Sequence, residues 1–326
     1  MLLRILICSA VFLLPFFTST SHAQVGGDLT GITGDGLSIV LDPQYPNPQD
    51  QVTATIDDYS MNNTGATITW FFDGLSAPSV TNLRKINFTA PPVGATMNIV
   101  ARLRFPDGRM IETKRAITPL YLDLIIEPQT YTPIFYQGRA LPTKGSLVYI
   151  NALLQTKNGP VNSSQYSYTW SLNNKSIYGG ARTGGNWAEI TVPHGKASVV
   201  TVAVQNRNGT TVARKLFTLP SVPVEVQFYE INTLLGLSTK AITNGIILAG
   251  KSTSIKAVPY YLDTRAVNGN LFTQWSIDNI PARTENSDPF EINLNRGVSG
   301  NTVVGFKIRN LNELLQSDER SFNVTF

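Results

Sequence analysis

Thr67-Ile68-Thr69-Trp70-Phe71-Phe72-Asp73-Gly74 decides the fold, because it recurs twice. Tyr168-Thr169-Trp170-Ser171-Leu172-Asn173-Asn174 is the second copy, and Phe272-Thr273-Gln274-Trp275-Ser276-Ile277-Asp278-Asn279 is the third. Each alternates large apolar with small polar residues, the period of a half-buried β-strand. Each ends in a dipeptide suited to a tight hairpin turn: Asp-Gly, Asn-Asn, Asp-Asn. The tryptophans lie 100 and 105 residues apart, the size of one β-sandwich module.

Other landmarks keep the same register. From each Trp to a glycine in mid-module (Gly94, Gly195, Gly297) is 24, 25 and 22 residues. From Trp to a hairpin glycine (Gly108, Gly209) is 38 and 39, and Asn310 falls near that place in the third copy. Such spacing marks internal repeats. Short alternating runs bracket the Trp strand in every copy. Val52–Ile56 and Met97–Arg104 do so in the first, Val148–Ala152 and Val199–Val204 in the second, Thr253–Ala257 and Val303–Ile308 in the third. Turn signals recur every eight to twelve residues and no long helical period is present. The chain therefore reads as all-β: three tandem immunoglobulin-like β-sandwich domains over 38–119, 120–220 and 221–326. Trp70, Trp170 and Trp275 are the expected core tryptophans, each on the third strand.

The 326 residues are 42% hydrophobic and 15% charged, which supports packed cores and argues against disorder. Twenty-six Lys and Arg against 22 Asp and Glu give a net charge of +4. No run of basic residues exists, so a nucleic-acid partner is not expected. Met1–Ala23 reads as a secretory signal. Arg4 is its positive end, Ile5–Phe17 its apolar stretch and Ser21-His22-Ala23 its small-x-small cleavage site. The apolar stretch is short for a membrane span, so the mature chain is expected to begin at Gln24, with no membrane span, and to be secreted or held at the cell surface. Residues 24–37 are glycine-rich and read as a flexible linker. The one cysteine, Cys8, lies within the signal, so no disulfide or thiolate is expected afterwards.

This composition disfavours catalysis. His194 is the one histidine after the signal, in Pro193-His194-Gly195, where the other copies carry Val93 and Arg296. It reads as a solvated turn residue. Ser-His-Asp, Cys-His and His-metal sites lack their members. Asp57-Asp58 are neighbours on a strand and point to opposite faces, so they cannot flank one glycosidic bond. Gly34-Asp35-Gly36 has too few oxygen ligands nearby for calcium. No enzyme activity, cofactor or metal is expected.

Two surfaces are candidates for binding. Trp187 has no Trp counterpart in the sister copies and follows the glycine-rich Gly179–Asn186. Alternation puts Ala188, Ile190 and Val192 inward and Trp187, Glu189 and Thr191 outward, suited to stacking on a sugar or a neighbouring domain. A bulge after the loop would turn Trp187 inward instead. Tyr131 and Tyr136 lie in Tyr131–Gly138, and Tyr229 in Tyr229–Gly236. Both stretches read as loops with Tyr and Gly seven apart, and the first copy has no such loop. They are either contact loops or covers over the sandwich end, packed on the preceding module.

The repeat resembles bacterial Ig-like and PKD-like surface domains in its aromatic-x-Trp strand, later glycine-led strand and Asn206-Arg207-Asn208-Gly209 turn. It departs from PKD domains in lacking their Asp-Phe-Gly-Asp-Gly after the Trp. Tyr131–Gly138 with Ala140-Leu141-Pro142, and Val226–Glu230, are more similar still to a group of exported proteins of candidate-phyla (Patescibacteria-type) bacteria. The resemblance implies architecture and no activity. The expected role is a non-enzymatic spacer or adhesion module of the cell envelope, in a surface or pilus apparatus, with other envelope or surface proteins as partners. The alternatives are a carbohydrate-binding protein of the cell wall, with wall polysaccharide as partner, and the accessory array of a secreted hydrolase. N-terminal sequencing of the protein recovered outside the cell should start at Gln24; a full-length product confined to the cytoplasm would contradict this.

Overall fold

The computed structural model describes residues 36–59, 65–195, 198–267, 269–296 and 300–326. The signal, the linker up to residue 35 and Gly297 lie outside the described residues. Leu37, assigned above to the linker, is instead the first residue of a strand and fully buried.

The first sandwich pairs Leu37–Asp42, Gln51–Asp58 and Lys85–Thr89 in one sheet. Its other sheet runs Leu75–Ser76, Thr67–Phe72, Met97–Arg104, Met110–Ile117. Strand order thus follows the immunoglobulin plan. The second repeats it. Tyr121–Pro128, Leu147–Thr156 and Trp187–Thr191 form one sheet, and Ser167–Leu172, Ser198–Gln205 and Thr211–Leu219 lead the other. In the third, Glu225–Asn232, Ser252–Tyr260 and Glu291–Asn295 face Leu271–Ile277, Asn301–Asn310 and Ser317–Thr325. The fold is all-β, three tandem Ig-like sandwiches, each with its own apolar core drawn from both sheets.

Trp70 and Trp170 are fully buried and Trp275 nearly so. Burying an aromatic of this size contributes roughly 2–3 kcal/mol, provided that the indole N–H finds a partner. It does so in the same way each time. The N–H donates to the carbonyl of Leu83 at 2.8 Å, of Gly185 at 2.8 Å and of Pro289 at 3.1 Å. Each of those carbonyls lies two residues before the strand that crosses into the opposite sheet: Lys85–Thr89, Trp187–Thr191, Glu291–Asn295. The indole therefore fixes where the chain re-enters the facing sheet.

The turn after each Trp strand is equally regular. Asp73 and Gly74, Asn173 and Asn174, and Asp278 and Asn279 all have positive φ, from 48° to 82°. Two successive positive φ values give a turn whose twist matches the flanking strands, and Asn, Asp and Gly tolerate it best. The first turn residue also bonds outward. Oδ1 of Asp73, Asn173 and Asp278 accepts the N–H of Asn98, Val199 and Val303, each at 2.8 Å. For Asp278 these bonds hold the carboxyl below its ordinary pKa.

The third sandwich departs from the sequence reading. Tyr229–Gly236 is not a loop. Tyr229 sits inside the strand Glu225–Asn232, which turns at 233–235 into Gly236–Ile242 on the sheet edge. Gly245–Ile247 then pairs parallel with Ser317–Thr325 in the facing sheet. Polar alternation was too weak there to announce either strand.

Trp170→Ala should cost about 3–5 kcal/mol in denaturant melts. Trp170→Phe should cost less but still about 1–3 kcal/mol, because the Gly185 carbonyl loses its donor. Equal stability of all three proteins would show that the indole is not the organising contact.

Candidate functional site

Trp187 opens the edge strand of the second sandwich's first sheet. Register places Trp187, Asn151 and Ile125 in one row on the outer face, and Glu189, Tyr149 and Glu127 in the next. No bulge intervenes, and Trp187 points outward with 44% of its surface exposed. Ile125 and Leu153 are exposed beside it to a similar extent. The Arg182 guanidinium lies over two rings, 4.3 Å from the Tyr178 centroid and 5.5 Å from that of Trp187. The Tyr178 hydroxyl accepts the N–H of Glu189 at 2.9 Å on the free edge of the strand. The glycine-rich stretch before Trp187 is tied down rather than loose. Arg182–Thr183 pairs with Ser167 and Tyr168, and the Gly184 N–H donates to the Tyr166 carbonyl.

The same row differs in the sister sandwiches. It reads Lys85, Thr55, Val40 in the first and Glu291, Lys256, Tyr229 in the third. Lys256 is ion-paired with Asp288 at 2.8 Å and Glu291 at 2.9 Å. Only the second sandwich carries an aromatic on the exposed edge strand of this row.

The tyrosines lie elsewhere, at the junction of the second and third sandwiches. The chain between Pro128 and Leu147 leaves its own sandwich and crosses onto the next one. Tyr131 donates its N–H to the Leu262 carbonyl at 2.7 Å and accepts that of Tyr261 at 2.8 Å. Gln129 accepts the N–H of Thr264 at 3.0 Å. Phe135 packs edge-on against Tyr229, and Tyr136 against Tyr260, both with centroids 5.2 Å apart. Hydroxyls pair as Tyr136 with Tyr261 at 2.9 Å and Tyr229 with Tyr260 at 2.6 Å. Two readings are corrected here. Tyr229 is buried within its strand, so it is not a free contact surface. The Tyr131–Gly138 loop packs on the following sandwich, not the preceding one, because the loop leaves from the end of the sheet that faces the third sandwich.

Asp263, which sequence reasoning missed, anchors this junction. It is 2% exposed. Its carboxylate accepts the Leu147 N–H at 3.2 Å, the Arg265 N–H at 2.8 Å and the Arg265 guanidinium at 2.7 Å. Arg265 also donates to the Gly145 carbonyl at 3.1 Å, and its pKa is raised by the Asp263 bond. Gln316 donates to the Lys144 carbonyl at 2.9 Å. His194 Nε2 lies 3.0 Å from Glu313 Oε1, so this half-exposed histidine reaches a partner in the third sandwich rather than water alone. Gly145 has positive φ, and a Cβ there would run into Glu313. The one available signal was Tyr260-Tyr261-Leu262, an apolar run that continues past the end of the strand Ser252–Tyr260 up to Asp263.

Among the described residues, no group of three His, Cys, Asp or Glu side chains is placed to hold a metal ion, and no helix is long and apolar enough to cross a membrane.

No family model matches the chain, and no curated protein does. Among solved structures it is similar to the fibronectin(III)-like modules of Clostridium thermocellum CbhA, at 11% identity over 56% of this chain and 93% of that one, TM-score 0.26. It is similar to the three N-terminal domains of the bacteriophage RB49 highly immunogenic outer capsid protein, at 13% identity over 89% and 97%, TM-score 0.25. It is also similar to Bacteroides ovatus SGBP-B of a mixed-linkage glucan utilization locus, in complex with a mixed-linkage heptasaccharide, at 14% identity over 85% and 63%, TM-score 0.22. Scores this low carry no argument; the fold rests on the sheets and cores described above.

With Trp70, Trp170 and Trp275 buried, acrylamide should quench one component of the tryptophan fluorescence, and Trp187→Phe should remove that component. Trp187→Ala should cost about 1 kcal/mol or less, in line with a half-exposed side chain and one cation–π contact. Quenching unchanged in Trp187→Phe would contradict the outward placement.

Proposed function

We propose that this chain is an exported, non-enzymatic structural spacer and adhesion module of the cell envelope, serving within a surface or pilus apparatus alongside other envelope proteins. The observation that supports this most is the junction of the second and third sandwiches. Interfaces between domains of one chain are ordinarily polar and permit relative motion. Here main-chain hydrogen bonds run in both directions between Gln129–Tyr131 and Tyr261–Thr264, over a buried carboxylate and a cluster of tyrosines. A tandem locked in this way holds a fixed distance and a fixed angle, which is what a spacer requires.

The test is a distance distribution. Spin labels on Lys175→Cys and Lys251→Cys, both at exposed positions, should give one narrow distance peak in the full chain. Adding Asp263→Ala should broaden it, since the Leu147 N–H and the Arg265 guanidinium lose their acceptor. A broad distribution in the parent protein would overturn the spacer reading.

A second reading, a carbohydrate-binding protein of the cell wall, is favoured by one observation. Trp187 presents a half-exposed ring next to Asn151, Glu189 and Arg182, an apolar surface bordered by hydrogen-bonding groups. On this reading soluble wall polysaccharide shields Trp187 from acrylamide; no shielding would count against it.

A further inference from the structure

Beside the locked junction, the Tyr136 loop and the outer face of the third sandwich enclose a cleft of about 580 Å3. Small-molecule sites commonly fall in this size range and at domain boundaries. Aromatic side chains line it from both sides: Phe135 and Tyr136 from the second sandwich, and Tyr261 with the more deeply buried Tyr229 and Tyr260 from the third. Glu225 and Gln227 project from the same strand face as Tyr229 and line one side.

The charge state of this lining selects a ligand class. Glu225 Oε1 already takes the Arg320 guanidinium at 3.0 Å and the Gln227 amide at 2.7 Å, so an incoming cation would have to compete with Arg320, which also pairs with Asp318 at 3.3 Å. The electron-rich ring faces, and two carboxylates, Glu225 and Asp318, to the one Arg320 guanidinium, disfavour an anion. Burial and the Tyr136 hydroxyl push Tyr261 up to about 12, and burial with the Tyr229 hydroxyl raises Tyr260 as well, so Tyr260 and Tyr261 stay protonated and neutral. In the half-buried Tyr136–Tyr261 pair one O–H donates to its neighbour, whose own proton stays available, while the Tyr229–Tyr260 pair is buried and only backs the cleft. Flat apolar ring faces, hydroxyls able to donate and accept, and an amide on one wall match a neutral polyhydroxylated ring. Such a ring offers C–H groups on its faces and hydroxyls at its rim.

We propose that this cleft binds a neutral saccharide, gripped by both sandwiches at once. The site is separate from the Trp187 face, which belongs to the second sandwich alone, and it does not depend on the spacer reading.

The test is calorimetric titration of the purified full chain with cellohexaose, maltohexaose and chitohexaose. At least one hexasaccharide should bind. Its affinity should fall tenfold or more in Tyr261→Phe and in Gln227→Ala, and stay unchanged in Trp187→Ala. Thr239→Arg, at the exposed mouth of the cleft, should block binding without touching the packed rings, and serves should the other variants fold poorly. The proposal is overturned if none of the three sugars binds. It is equally overturned if Trp187→Ala alone abolishes binding, or if tetramethylammonium binds more tightly than every hexasaccharide.

Discussion

The indole N–H of one tryptophan, bonded to one backbone carbonyl, is the contact on which each sandwich depends. A Trp buried to this depth without an acceptor would give back much of its hydrophobic gain. The acceptor comes from the segment about to cross to the opposite sheet, so satisfying the indole also positions that crossing. The same solution is met through Leu83, Gly185 and Pro289, three residues with nothing chemical in common beyond a main-chain oxygen. That explains how the loops before the crossing strands differ freely in sequence while the strands keep their register.

The second constraint is the buried carboxylate of Asp263. A charge taken out of water must be paired and hydrogen-bonded. Asp263 meets that condition with Arg265 of its own sandwich and with the Leu147 N–H of the neighbouring one, and Arg265 in turn holds the neighbour's Gly145 carbonyl. Separation of the two sandwiches would leave these groups short of partners and expose the tyrosine cluster to water. Specific polar contacts and aromatic packing therefore act together, one setting the angle and the other supplying buried area.

Loop length decides which surfaces remain open. The second sandwich spends the chain between Pro128 and Leu147 on covering the outer face of the third. The first has only the eight residues 43–50 between its opening strands. In the third sandwich the row holding Tyr229 is consequently covered, while in the second the equivalent Ile125 is exposed next to Trp187. One repeat thus yields a covered face and an open one from the same strand positions.

Period-two alternation and turn dipeptides made the three sandwiches legible from the residues themselves, because both act within a few neighbours along the chain. Trp70-x-x-Asp73-Gly74 and its two copies carry their own strand, turn and core position. Trp187 could be placed outward on the same ground, from the alternation of Ala188, Ile190 and Val192, though a bulge could have reversed it and only the observed register excludes one. The junction was not legible. Asp263 owes its role to Leu147, 116 residues earlier, and Tyr136 meets Tyr261 across 125 residues. No local pattern encodes such pairs. Tyr229 shows the limit most plainly: its spacing to Gly236 matched that of Tyr131 to Gly138, yet one tyrosine lies in a strand and the other in a loop. Strand pairing, not spacing, separates them, since Glu225–Asn232 has partners on both sides, whereas the residues after Pro128 have left their sheet and bond partly within their own loop and partly to Tyr261–Thr264 of the next sandwich.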